Sequence, residues 1–186
     1  YDLPFPLPAI SIPVLVRNVF YAFDKADILE TSQPALERLT QLLQENPNIT
    51  IELGAHCDYR GTDSYNDDLS QRRAESVVGS LRQHGIEAAR LTPKGYGKRQ
   101  PKIVTQKLVD TYPFLHLGDT LTEAYIKRLP PEQQEDCNAI NRRTEFRVLR
   151  TTYGLFDEKG RLRPDLIKPQ DAETEEPADN GGAEFY

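Results

Sequence analysis

From Ile49 onward the chain runs through two hydrophobic periods in quick succession. Ile49, Ile51, Leu53 and Ala55 alternate with Thr50, Glu52, Gly54 and His56, the period-two pattern of a strand buried on one face. After the loop 57–62, which contains Gly61, Asp63 is a good cap for a helix that runs to about Gln83 and stops at Gly85. A one-faced strand and a striped helix joined by so short a loop bury their apolar sides against each other. The fold is thereby restricted to layers of helix on sheet.

Similar patterns flank this unit. Val14 to Phe23 predicts a strand with Leu15, Val19, Tyr21 and Phe23 on one face, interrupted by Arg17. Thr31 or Ser32 caps a helix with Pro34 in its first turn and Leu36, Leu39 and Leu43 at helical spacing; Asn46-Pro47 ends it. Residues 91–96 predict a short strand that Pro93 confines to an edge or a bulge, and 144–150 a last one with Phe146 and Val148 inward. The stretch 98–140 is poorly periodic, with one short amphipathic helix around 121–129 closed by Pro130-Pro131. The order predicts an α+β, βαβαββ two-layer sandwich. Two main helices lie on one face of a four-stranded mixed sheet, with an insertion at about 102–140 before the last strand.

Residues 1–13, with four prolines, read as a linker leading out of an upstream domain, and the domain itself spans 14–152. The extension 153–186 is expected to be largely disordered from about residue 168, where it turns acidic and Gly-rich. A chain without any methionine is expected to begin inside a longer parent. With 23 Lys+Arg against 29 Asp+Glu the net charge is −6, which speaks against a large basic surface for nucleic acid. No apolar run approaches the roughly 18 residues of a membrane span.

One position breaks the apolar stripe of the long helix, which reads Asn66, Leu69, Arg73, Val77 and Leu81. Arginine cannot shed its proton and is almost never buried without a partner. Asp58, at the end of the preceding strand, is close enough along the chain to face it. Two readings follow. One is an internal Asp58–Arg73 ion pair holding the strand–helix corner. The other is a split site in which the carboxylate takes an ammonium and the guanidinium a carboxylate, together gripping a zwitterion such as a free amino-acid end.

The segments GAHCDYRGTDSYNDDLSQRRAESV, GIEAARLTPKGYGKRQP and NRRTEFRVL, with VFYAFDKADI before them, closely resemble the OmpA-like peptidoglycan-binding domain. That family includes the peptidoglycan-associated lipoproteins and the wall anchors of flagellar stators. The resemblance covers about 14–150 apart from 102–140. It implies non-covalent binding of the diaminopimelate residue of the peptidoglycan stem peptide, without catalysis or cofactor. It also implies a periplasmic location, attached to the outer membrane through the parent, with other subunits of an outer-membrane complex as partners. Residue by residue, Asp58 matches the family's ammonium-binding aspartate and Arg73 its carboxylate-binding arginine. Asn66 matches its helix asparagine, while Asp24 and Arg142 match residues lining its groove.

Three departures stand out. Cys57 replaces the threonine of the family's GHTD strand end, so a contact through hydroxyl or backbone N–H is in question. Cys57 and Cys137 either form one bridge or are two buried thiols; a bridge would staple the NRR segment to the Asp58 strand end, contributing roughly 3–4 kcal/mol on the chain-entropy model. The insertion, with Tyr112, Phe114, Leu115, Leu117 and Leu121, is either a lid or partner surface, or a satellite hydrophobic cluster on the sheet edge. The cysteine placement and long insertion resemble versions of this domain that end multidomain outer-membrane lipoproteins, including those of the type IX secretion apparatus. A rival function is therefore a structural module of a secretion or motility complex that has lost wall binding.

No metal is expected. His56, Cys57 and Asp58 are consecutive, so in a strand at most two could share an ion. The same geometry keeps His56 from serving Cys57 as a catalytic base.

Overall fold

The computed structural model describes residues 10–161, residue 163 and residues 183–185. Its strands are β1 (Val14–Val16), β2 (Thr50–His56), β3 (Leu91–Gly97), β4 (Arg143–Arg150) and β5 (Ala183–Phe185). They form one sheet in the order β3-β2-β4-β1-β5. The β2/β3 and β1/β5 pairs are parallel, while β4 is antiparallel to both β2 and β1. The expected mixed α+β arrangement is present, and β5 adds a fifth strand to the four expected. The rest of the tail expected to be disordered, and residues 1–9 of the linker, lie outside the described residues.

Helices α1 (Gln33–Glu45) and α2 (Asp63–Gln83) share one core with the sheet. Leu36, Leu39 and Leu43 of α1 and Val77 and Leu81 of α2 bury against Val14, Ile51, Leu53, Phe146 and Val148. The β2/β4 register sets Leu53 opposite Phe146 and Ile51 opposite Val148, which puts Glu52, His56, Glu145 and Arg147 on the other face. His56 is nonetheless only 2% exposed, because its ring stacks on Tyr96 with centroids 4.8 Å apart. Its Nε2 lies 3.4 Å from Glu145, and burial holds its pKa below the usual imidazole value.

Two glycines bring α2 onto β3. A Cβ at Gly95 would stand 2.3 Å from the Gln71 backbone nitrogen, and one at Gly97 would stand 2.3 Å from Asp67 Oδ1. The freed space is used for hydrogen bonds: Gly95 N–H donates to Gln71 Oε1 at 2.8 Å and Gly97 N–H to Ser70 Oγ at 2.9 Å. The other end of the core carries Arg90, 6% exposed, whose guanidinium donates to the carbonyls of Leu43, Asn46 and Ile49. A cation on the last carbonyls of α1 offsets the negative end of the helix dipole.

Several local expectations are corrected. The first strand ends at Val16, and its buried residues are Val14 and Val16, the opposite phase to the expected face. Pairing with Phe146 and Thr144 places these two on the helix side, and Asn18 at φ 62° turns the chain directly after Arg17. Val19 and Tyr21 still pack against the core, but Phe23 is 96% exposed. Ser32 does not cap α1 with its side chain; its hydroxyl donates to the Phe20 carbonyl and accepts from the Phe20 N–H. Thr62, not Asp63, caps α2 by accepting from the Tyr65 N–H.

The insertion holds α3 (Gln106–Thr111), α4 (Glu123–Ile126) and α5 (Pro131–Asn141). Pro130-Pro131 opens α5 rather than merely closing a helix, since proline's missing N–H costs nothing in a first turn. Val104, Leu115, Leu121, Ile126 and Cys137 form a second hydrophobic cluster, joined by Tyr59 from the β2–α2 loop. That is the satellite cluster of the two readings, seated beside the Asp58 loop. Leu117 is excluded from it and exposed.

Candidate functional site

The candidate site has two ends, both mounted on the β2–α2 unit. At the first, Asp58 leaves β2 with its side chain 9% exposed. Oδ1 accepts from the Arg60 backbone N–H at 2.9 Å and from Arg60 Nε at 3.2 Å. Oδ2 accepts from Arg60 Nη2 at 2.7 Å and from Arg142 Nη1 at 2.6 Å. Burial pushes the carboxyl upward in pKa, but the hydrogen bonds from Arg60 and Arg142 outweigh it and hold the group below the usual carboxylate range. Asp58 is therefore a shielded, ionised carboxylate at neutral pH.

Both arginines also reach Glu135 of α5, Arg60 Nη1 at 3.2 Å and Arg142 Nη2 at 2.8 Å. Asn66, buried in the first turns of α2, braces the loop from beneath by donating from Nδ2 to the Arg60 carbonyl at 2.8 Å. This end thus draws on three stretches of chain: the β2–α2 loop, α2 itself, and the junction between α5 and β4.

The second end lies about three turns into α2. Arg73 is half-buried; its guanidinium sits 4.8 Å over the Tyr21 ring and its Nε donates to the Lys25 carbonyl at 3.0 Å. The neighbouring Asp24, at φ 56°, accepts a hydrogen bond from the Tyr65 hydroxyl. Arg73 and Tyr65 together tie the loop after Tyr21 to α2. Among the described residues no ion pair joins Asp58 to Arg73, so the internal corner pair is not formed; each charge has partners of its own.

Cys57 faces inward. Its N–H donates to the Gly97 carbonyl at 2.8 Å and its thiol to the Asn66 carbonyl at 3.7 Å, so neither donor is left for a ligand. Of the two possibilities for the cysteines, the bridge is absent and the pair of thiols is present: both are buried and free, and Cys137 sits inside the second hydrophobic cluster. Burial raises both thiol pKa values, that of Cys137 to about 11. Cys57 lines a cleft of about 250 Å³ between the Asp58 loop and the insertion, together with Tyr59, Lys98 and Glu123.

The structure thus brings Asp58, Asn66 and Arg142 together, and separately Asp24 and Arg73. Sequence reasoning missed Arg60, Glu135, Tyr21 and Tyr65. Arg60 carried a readable signal, since an arginine two residues past a strand-end aspartate and just before Gly61 can fold back on it. Glu135 carried none, because α5 was hidden behind the two prolines.

The OmpA family model matches residues 20–111. Outer membrane porin F of Pseudomonas aeruginosa is 34% identical over 96 residues, 50% of this chain and 27% of that protein. The peptidoglycan-associated lipoprotein of Agrobacterium fabrum is 36% identical over 87 residues, 47% of this chain and 49% of that protein. The chain therefore spans about half or less of these relatives. The crystal structure of the peptidoglycan-associated lipoprotein from Burkholderia pseudomallei has the same fold, with a TM-score of 0.50 at 24% identity over 74% of this chain and 90% of that one. Residues 20–111, which contain every ligand residue expected from the sequence except Arg142, form an OmpA family domain.

Proposed function

We propose that this domain binds peptidoglycan non-covalently through the diaminopimelate residue of the stem peptide, and so anchors an outer-membrane or periplasmic complex to the wall. The observation carrying this reading is the separation of two opposite charges on one rigid unit. Asp58 is held ionised at the end of β2, and Arg73 on α2 makes one hydrogen bond among the described residues, through Nε, leaving both Nη groups to receive a carboxylate. A zwitterion bridging them places its ammonium on Asp58 and its carboxylate on the Arg73 fork. The name of one relative, a peptidoglycan-associated lipoprotein, supports the wall as the partner. In this reading the parent faces the periplasm and other subunits of an outer-membrane assembly attach to it.

A few charged hydrogen bonds of about 1.5–3 kcal/mol each, offset by desolvation of the zwitterion, support micromolar-to-millimolar binding of one stem peptide. Multiple copies along the wall polymer make such contacts sufficient for anchoring. The second reading, a scaffolding module without wall contact, is favoured by one feature: Asp58 already has two arginine partners.

Calorimetric titration with a diaminopimelate-containing stem peptide and with its lysine-containing counterpart separates the two. Binding of the first peptide alone, lost in Asp58→Ala and in Arg73→Ala, is the expected result. Silence with both peptides at millimolar concentration leaves the scaffolding role.

A further inference from the structure

A carboxylate offers about four lone-pair positions to donors. On Asp58 all four are occupied: two on Oδ1 by the Arg60 N–H and Nε, and two on Oδ2 by Arg60 Nη2 and Arg142 Nη1. An incoming ammonium must therefore displace a donor before it can bind. The candidates differ in cost. The Arg142 side chain is 35% exposed and anchored at the start of β4, whereas the Arg60 side chain is 52% exposed and rides on a surface loop. Arg60 rehydrates more readily on leaving. Glu135 is within reach of both, Arg142 Nη2 at 2.8 Å and Arg60 Nη1 at 3.2 Å, so a departing Arg60 keeps an acidic partner and exposure decides between them.

We propose that Arg60 is a built-in competitor for the ammonium position of Asp58, and that Glu135 of the insertion receives Arg60 when ligand displaces it. This rests on Asp58 being the ammonium site. With the site empty, the Arg60 guanidinium stands in for the ligand's cation and keeps a shielded carboxylate satisfied. When ligand arrives, Arg60 Nε and Nη2 leave Asp58 while the backbone N–H of Arg60, fixed by the loop, stays to orient it. Glu135 then takes the released fork. The insertion thereby tunes access to the site through a single side chain rather than by covering it.

Titration of the diaminopimelate stem peptide into the full chain tests this, using wild type, Arg60→Ala, Glu135→Gln and the double variant. Arg60→Ala is expected to tighten binding by roughly 3- to 5-fold, the size of one half-exposed ion pair. Glu135→Gln is expected to weaken binding by a similar factor, and to lose that effect once Arg60 is gone. Weaker or unchanged binding by Arg60→Ala, in a protein whose wild type binds, overturns the competitor role while leaving the wall reading intact. A Glu135→Gln effect that is absent, or equal in both backgrounds, overturns the receiving role. Binding by Arg60→Ala where wild type is silent supports the competitor strongly. Silence in both removes the wall reading and this inference with it.

Discussion

The two ends of the site solve the problem of a shielded charge in opposite ways. Asp58 is nearly buried and surrounded, with donors from the loop and from the α5–β4 junction filling its oxygens. Arg73 is half-open, steadied by a ring face and one backbone carbonyl. A carboxylate withdrawn from water needs its lone pairs met, whereas a guanidinium can rest its face on an aromatic ring and leave its fork in solvent. The first end is therefore part of the protein's stability, and the second is held ready at little structural cost.

Breaking the platform shared by both ends has the largest expected effect. Gly95→Ala drives a methyl group into the Gln71 backbone, forcing α2 off β3, and is expected to cost about 1–3 kcal/mol or more in denaturant unfolding. Both charges ride on α2 or the loop entering it, so ligand binding falls with it. Next comes the contrast between the ends. Asp58→Ala leaves Arg142 and Arg60 with only Glu135 among the acidic groups they now share, and is expected to lose about 1–3 kcal/mol of stability along with binding. Arg73→Ala is expected to abolish binding while costing less than about 1 kcal/mol. Equal stability losses would erase the distinction.

Acidity sharpens it further. The Asp58 pKa is depressed in the folded state, so its stabilising contribution is complete above the unfolded carboxyl value, about 4, and is lost as pH falls through the lower folded value. Asp58→Asn should flatten that acid limb of a melting-temperature profile, and Arg73→Ala should not. His56 acts in a separate window. Its folded pKa is lowered, so the unfolded chain takes up a proton first and stability declines as pH drops below about 6.5. His56→Phe, which keeps an aromatic ring against Tyr96, should remove that slope. The smallest effect belongs to Arg72, whose only ion pair among the described residues is the exposed i,i+4 contact with Asp68 at 2.8 Å; Arg72→Ala is expected to change stability by no more than about 0.5 kcal/mol and binding not at all.

Particular residues show how far the chain could be read. The β2 alternation and the α2 stripe were legible because each follows from one periodicity applied to one buried face. Arg73 was legible as the break in that stripe. Tertiary pairing decided the phase of β1, since three residues are too few to distinguish faces and Thr144 and Phe146 choose for them. Of the two readings for Asp58, the corner pair with Arg73 is not formed, and the partners it does have were missed for a similar reason. Arg60 and Arg142 lie nearer in space than Arg73, one through a two-residue backfold and the other through a contact spanning 84 positions. Cys57 and Cys137 allowed either a bridge or two buried thiols on the page, and the fold keeps them as separate thiols.

Sequence alone determined the layered architecture, the two charges of opposite sign on one strand–helix unit, and the family resemblance that names a ligand for them. These follow from short-range periodicity and from residue types at close spacing, which act before any long-range contact forms. Only the tertiary structure decided that Asp58 and Arg73 do not pair with each other, that Arg60 and Arg142 fill the oxygens of Asp58, and that the insertion delivers Glu135 to the same cluster. Those outcomes depend on which side chains meet after the chain closes, where lone-pair count and access to water, not order along the chain, select the partners.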